Sequence, residues 1–568
     1  MKSNKQTNLA VVLCVLTVSV YAAPVIEEPA VMPEAMLSVT VSDLHGLIDE
    51  VGIIASQVSP MMNGMMLKNL LGMQLGDPNL AGIAPGKGLA IVALDATNFF
   101  AVIEVSEAQS AAYTSMASSQ GLQANYTNGV LVLAKTPTML TKGAAFSGKV
   151  QSSLLAKRSP TLRVAGQPAA IIERNNDQIQ GFLQMIPMMM GASMMQAPGA
   201  NTNSIASTTK IIEGEVRVLL SIVSQCESGE LVLAPQGGSI RLSETYVPKA
   251  GTRLAKLGEA AKTSNPNPKI QAGLIGDGGM VQLDFVLGSP DALADFIVAE
   301  MESLDKEMGL ELDLAGLSKN VTKWTKLYAG AGCEIFDFNP DDGMNVNYLL
   351  EIADEAAALE LLKTMKTDVA PLMKLYEDAG MPMTFSFKEN VSEYKGIKLH
   401  RLEIEISLED MPEEQREQMD ALDMDDMDYD IAIFDGLMLY TTGEDQINKS
   451  IDRIKGPASS IKPLAARGIY PEGGFYYADL DIGRYVEMVS AMMPKDTPNP
   501  IQPQLMAMMQ GVDPITSAGF RDAGRVMWSV NIPGDLIGKL GQLGMMMQMQ
   551  KMQQQQMPQG VPAAMPVQ

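Results

Sequence analysis

Residues 36–51 read MLSVTVSDLHGLIDEV, a strand running into an Asp cap and then a helix. Met36–Ser42 carries the strand pattern, Asp43 stands at the N-cap position, and Leu47, Ile48 and Val51 follow at helical spacing. Shifted by 438, the pattern returns: Asp481 for Asp43, Ile482 for Leu44, and Tyr485, Val486 and Val489 for the helical stripe. The strand before this second copy is Phe475–Ala478. A third copy falls at Ala169–Met190, where Ile179, Phe182, Leu183, Ile186, Met189 and Met190 map onto 482–493 with one shift of 303. A fourth, looser copy has Val281–Leu287 as strand, Ser289-Pro290 as helix start, and Leu293, Phe296, Ile297 and Met301 as stripe.

The segments behind these openings also match in pairs. Gly88–Asp95, a turn, Ala101–Glu104 and an Ala-rich helix correspond to Gly332–Asn339, a longer turn, Tyr348–Glu351 and another Ala-rich helix. Asn128-Gly129 and Asp435-Gly436, each between apolar runs, predict tight hairpins, because both central residues can take positive φ. The expected organisation is a two-unit module duplicated once. Its units are 34–155 and 160–262, then 268–457 and 465–540, followed by a disordered Met/Gln-rich tail, 541–568, that begins as a helix extension from Gly541. Alternating strands joined by hairpins, with helices interspersed, place the chain in the α+β class, with antiparallel sheets and helices packed on one face.

Composition narrows the function. The 568 residues carry 66 acids against 42 bases, a formal net charge of −24, which disfavours nucleic acid and anionic lipid as general partners. With 46% hydrophobic residues most of the chain should fold. Only two histidines and three cysteines are present, which removes most metal-hydrolase and His-based acid–base chemistry and any disulfide-stapled scaffold. Lys2 and Lys5 followed by the apolar run Leu9–Val20 form a signal peptide with cleavage expected after Ala22. No later stretch is long and charge-free enough to span a membrane. Export permits a bond between Cys226 and Cys333, and two buried free thiols fit equally well.

No nucleophile elbow, P-loop or HExxH motif occurs. His45 and His400 read as structural residues in different units. Asp337–Tyr348 departs from a calcium loop at its sixth and twelfth positions and reads as a polar hairpin turn. Glu104 and Glu351 occupy matching strand ends and read as caps or turn anchors. The run 409–430 holds eleven acids against Arg416 alone and is expected as a solvated helix or mobile excursion between strands Leu399–Ile406 and Ile431–Phe434.

Methionine is the anomaly, 43 in all. Three readings stand: core filler in place of Leu, an adaptable apolar contact surface, or thioether coordination of Cu(I). The candidate contact residues are Met61, Met62, Met65 and Met66, on a helix expected over Met61–Met73, together with Met188, Met189 and Met190; Met545–Met552 forms a third cluster.

The lines PEAMLSVTVSDLHGLIDEV (33–51) and GGFYYADLDIGRYVEMV (473–489) resemble uncharacterised exported bacterial proteins built from a domain of unknown function. The resemblance implies a bacterial envelope location, periplasmic or secreted, and brings no activity or catalytic residue with it. The expectation is an exported, non-enzymatic envelope component that binds or scaffolds an unknown protein or apolar ligand. It needs no cofactor, binds no nucleic acid and has no membrane span after cleavage. The alternatives are a carrier for lipid or other apolar ligands, and a Met-rich Cu(I)-binding protein.

Overall fold

The fold is described from a computed structural model covering residues 32–556, except 33, 96, 182, 184, 186–212, 215, 261–269, 277, 287, 309–313, 340–342, 369, 371–382, 407–425, 444, 457–473, 492–501 and 523. The expected signal peptide and Met188, Met189 and Met190 therefore lie outside the described residues. Strand β1 (Leu37–Val41) runs up to Asp43, whose carboxylate accepts the Gly46 N–H at 3.0 Å and starts helix α1 (Leu44–Val58). The cap expected from sequence is thus formed, and Asp481 does the same for the Arg484 N–H. Leu44, Ile48 and Ile54 turn inward, whereas Val51 faces out, one step off the expected stripe.

One order of elements, a strand, helix, antiparallel hairpin and helix, occurs four times. The first is β1, α1, α2 (Gly64–Leu75), β2 (Leu89–Ala93), β3 (Phe99–Glu104) and α3 (Glu107–Ser119). It is followed by the hairpin β4 (Gln123–Thr127) and β5 (Val130–Ala134) and helix α4 (Pro137–Ser153). The second has β6 (Leu162–Gly166), α5 (Pro168–Arg174), β7 (Cys226–Gln236), β8 (Ser239–Pro248) and α6 (Arg253–Ala260). The third has β9 (Val281–Val286), α7 (Pro290–Met308), α8 (Leu314–Leu327), β10 (Tyr328–Asn339), β11 (Gly343–Ile352) and α9 (Glu355–Asp368). Behind it come β12 (Met383–Tyr394), β13 (Ile397–Ile406), β14 (Asp426–Phe434), β15 (Leu437–Thr441) and α10 (Gln446–Lys455). The fourth has β16 (Tyr476–Leu480), α11 (Ile482–Ala491), α12 (Gln502–Met509), β17 (Ile515–Asp522), β18 (Arg525–Ile532) and α13 (Gly534–Gln556).

These eighteen strands, among the described residues, join in one antiparallel sheet rather than several. Its order is 4-5-3-2-1-6-7-8-18-17-16-9-10-11-15-14-13-12. At the centre β8 pairs with β18, and the hydroxyls of Ser243 and Ser529, directly opposite, lie 2.9 Å apart. Outward from that pair the order reads alike in both directions, with the hairpin β12–β13 added at one end. The edges are guarded: β4 is short and polar, and β12 slips register between Lys388 and Ser392. There Asn390 takes a positive φ, and its N–H donates to His400 Nδ1 at 3.2 Å.

Helices cover both faces around β5, correcting the one-face expectation. Val130, Val132 and Ala134 pack with Met139 and Val150 of α4, while Leu131 and Leu133 pack with Tyr113 and Ala117 of α3. The run VLVLA is apolar at every position, so both of its sides must leave water. The largest core surrounds β9–β11 and β13–β15, with Leu361 and Leu362 of α9 and Ile447 and Ile451 of α10.

Three further expectations gain detail. In the second stretch the strand is Leu162–Gly166 and residues from 168 are helical, so strand for strand it stands 476 − 162 = 314 positions before β16, while Phe182, Ile186, Met189 and Met190 of the stripe shifted by 303 lie outside the described residues. The end of the acidic run is not an excursion: 426–430 belongs to β14, where Arg401 across the ladder binds Asp428 and Asp430. Residues 541–556 continue α13 as the helix extension expected at the start of the tail, and Gly538 and Gly541 pack closely on α1.

Candidate functional site

Asn63 accepts the Met66 N–H at 3.1 Å and starts α2 at Gly64, so Met61 and Met62 sit in the preceding loop rather than in the helix. Helices α1 and α2 meet at paired glycines: a Cβ on Gly52 would lie 2.2 Å from the Gly64 nitrogen. The Lys68–Asp49 ion pair, 2.6 Å, links the same two helices. Glu50 accepts the Gly237 N–H at 3.0 Å, tying α1 to the β7–β8 hairpin. Helix α13 reaches α1 from β18, with Gly534 and Gly538 against Gln57 and Gly541 against Val58. Gly541 lies four residues before Met545, and Val58 three residues before Met61. Met545 thus lies about 6 Å along α13 from that contact, and the loop that carries Met61 and Met62 begins directly after Val58.

Among the described residues, twelve of the eighteen exposed large hydrophobic side chains belong to these three helices and the loop between α1 and α2. They are Val51 and Ile53 of α1, the loop and α2 residues Met61, Met62, Met65, Met66, Leu70 and Met73, and Leu540, Met545, Met547 and Met549 of α13. Met61, Met65 and Met73 are 78, 72 and 65% exposed, which removes them from the core-filler reading. Elsewhere methionine does fill core: Met32, Met139 and Met438 are buried. The contributions of Val51, Ile53 and Leu540 were not legible, because their outward rotation depends on helix partners remote in sequence. Met545 and Met549, one turn apart, border a shallow hollow with Gln542 and Gln548 and offer two thioethers to a soft cation. No cluster of three or more His, Cys, Asp or Glu side chains suited to a metal occurs among the described residues.

This exposure makes the face the first place an oxidant should act. At millimolar hydrogen peroxide, Met61, Met65 and Met73 are expected to become sulfoxides before Met32, Met139 or Met438. Peptide mapping by mass spectrometry checks the order.

The remaining candidates have structural partners. His45 Nε2 lies 2.7 Å from the Ile83 carbonyl oxygen, and His400 is buried, stacked on Phe387, with burial holding its pKa below the usual value. Cys226 and Cys333 are both free and buried; burial pushes the first thiol up to about 12 and the second well above its ordinary value. Glu104 accepts the Gly88 N–H at 3.1 Å and Glu351 the Ala331 N–H at 3.3 Å, each pinning the start of the neighbouring strand. Asp337 is ion-paired with Arg484. No helix among the described residues is long and apolar enough to cross a membrane.

Compared with protein families, with curated proteins and with solved structures, the chain matches none.

Proposed function

We propose that this protein is an exported, non-enzymatic component of a bacterial envelope that binds a partner protein through the Met-rich face of α1, α2 and α13. The observation that carries the reading is the concentration of twelve exposed apolar side chains on α1, α2, α13 and the loop between α1 and α2. Unbranched thioether side chains repack easily, which suits an apolar helix of variable sequence. The net charge of −24 selects the rest of the partner's chemistry: a basic amphipathic segment, apolar on one side and rich in Lys or Arg on the other. The four similar stretches and the mirrored strand order support descent from a duplicated two-unit module, which supplies a wide, stiff base for such a face.

A synthetic 20-residue Leu/Lys amphipathic peptide, titrated against the mature protein, tests the reading. Saturable binding is expected, weakened by added salt. In the triple variant Met61→Gln, Met65→Gln, Met73→Gln it should fall at least about tenfold with an unchanged melting temperature. Equal binding by the variant overturns the reading. Neutral phosphatidylcholine vesicles, bound in place of the peptide, would favour the lipid-carrier alternative.

A further inference from the structure

Away from the Met face, a cavity of about 240 Å³ lies between the β10–β11 hairpin and α10. Its polar lining comprises Asp337, Asn345, Asn347, Gln446, Lys449 and Arg453. Asn347 is 7% exposed, and its Oδ1 has no hydrogen-bond partner. Directly opposite it on β15 stands Thr441, fully buried, whose hydroxyl is also unpartnered. Leaving such groups unpaired costs stability, so a fold does not retain them for packing alone.

The other end of the sheet shows that this position does not require polarity. Counting back four residues from the strand-end glutamates gives Phe100 before Glu104 and Asn347 before Glu351. Phe100 faces Ala134 across β3–β5, just as Asn347 faces Thr441 across β11–β15. Phe100 and Ala134 are buried in apolar core, and Phe146 of α4 stacks on Phe100. Where one end of the sheet is filled by hydrocarbon, the other holds amides, a hydroxyl and space.

The charges indicate what fits. The Asp337 carboxylate is taken up by Arg484. Lys449, exposed at the cavity, has no ion-pair partner among the described residues, and Arg453 lies one helical turn further along the same wall. We propose that the cavity binds a small carboxylate carrying a hydrogen-bond donor on its adjacent carbon, a 2-hydroxy or 2-amino acid. Its carboxylate meets Lys449, and its hydroxyl or ammonium donates to Asn347 Oδ1. The volume lies below the ~300–1,000 Å³ of sites for larger ligands, which limits the occupant to a few carbons.

The mature full-length protein would be titrated calorimetrically with L-lactate, L-alanine and propionate, the last lacking the donor. Saturable binding of lactate or alanine is expected at a Kd of about 1 mM or tighter, with propionate at least about tenfold weaker. Asn347→Leu, which imitates the apolar end of the sheet, should abolish the preference over propionate and raise the melting temperature without ligand. Should that variant not fold, Lys449→Ala, on the exposed rim, is expected to weaken lactate or alanine binding at least about threefold. Absence of saturation by lactate and alanine up to about 50 mM, or propionate binding as tightly as they do, overturns the proposal.

Discussion

Replacement of Glu104 by alanine is expected to lower stability by about 3 kcal/mol, measured as a shift in urea unfolding at pH 7. Glu104 is 3% exposed at the end of β3 and gathers four donors. Arg158 reaches both carboxylate oxygens, one at 2.9 Å, Lys87 Nζ lies at 3.1 Å and the Gly88 N–H at 3.1 Å. Removing the carboxylate strands the buried Gly88 donor and two cations. Arg158 and Lys87 are each more than a third exposed and can turn to water, so the loss sits at the low end of that for broken buried pairs. Burial pushes the Glu104 pKa up, but Arg158, Lys87 and the Gly88 N–H together hold it below the ordinary value. Its stabilisation is therefore present above the unfolded value and lost as pH falls through the folded one. The difference between wild type and Glu104→Ala should shrink in acid. A difference independent of pH would mean that the carboxylate acts through packing and not through charge.

Glu334→Gln should act in the opposite direction. This side chain, 9% exposed on β10, stands opposite Leu283 and Tyr348, and burial pushes its carboxyl up to about 7. No ion pair reaches it among the described residues. A folded pKa raised above 4.5 means that ionisation opposes folding. Below pH 4.5 the acid is neutral in both states and there is no penalty. The penalty grows as pH rises, and above pH 7 it is complete at about 3 kcal/mol, from 1.36 kcal/mol per pKa unit. The neutral glutamine should thus stabilise the protein by about that amount at pH 8 and by almost nothing at pH 4. Equal unfolding midpoints for the two proteins at pH 8 would sink this assignment.

Local chemistry was legible in the sequence; partner choice was not. Asp43 caps α1 because an aspartate before a helical stripe has a donor within three residues. Asn128-Gly129 and Asp435-Gly436 form their hairpins with positive φ at all four residues, as the side chains permit. The single sheet could not be read, because β8 meets β18 through residues almost three hundred positions apart, and alternation names no partner. The unbroken apolar run of β5 did carry a signal for burial on both faces. Met61 and Met62 left the helix through a residue that could have been weighed: Asn63 is a stronger cap than any methionine. The polar cavity was invisible, since Asn347 and Thr441 read as ordinary strand residues until the register sets them side by side beneath α10.

The docking of α13 on α1 has a consequence for the order of events in the cell. Synthesis delivers the N-terminal residues first, and they begin to fold while the rest is still being made. The groove on α1 that receives Gly538 and Gly541 must wait for a helix that follows it only after all eighteen described strands. Until then the Met-rich face lacks one of its three helices, and a chain caught midway by a translocation machine or a chaperone presents only part of it. The surface we assign to partner binding is whole only once α13 has docked on α1.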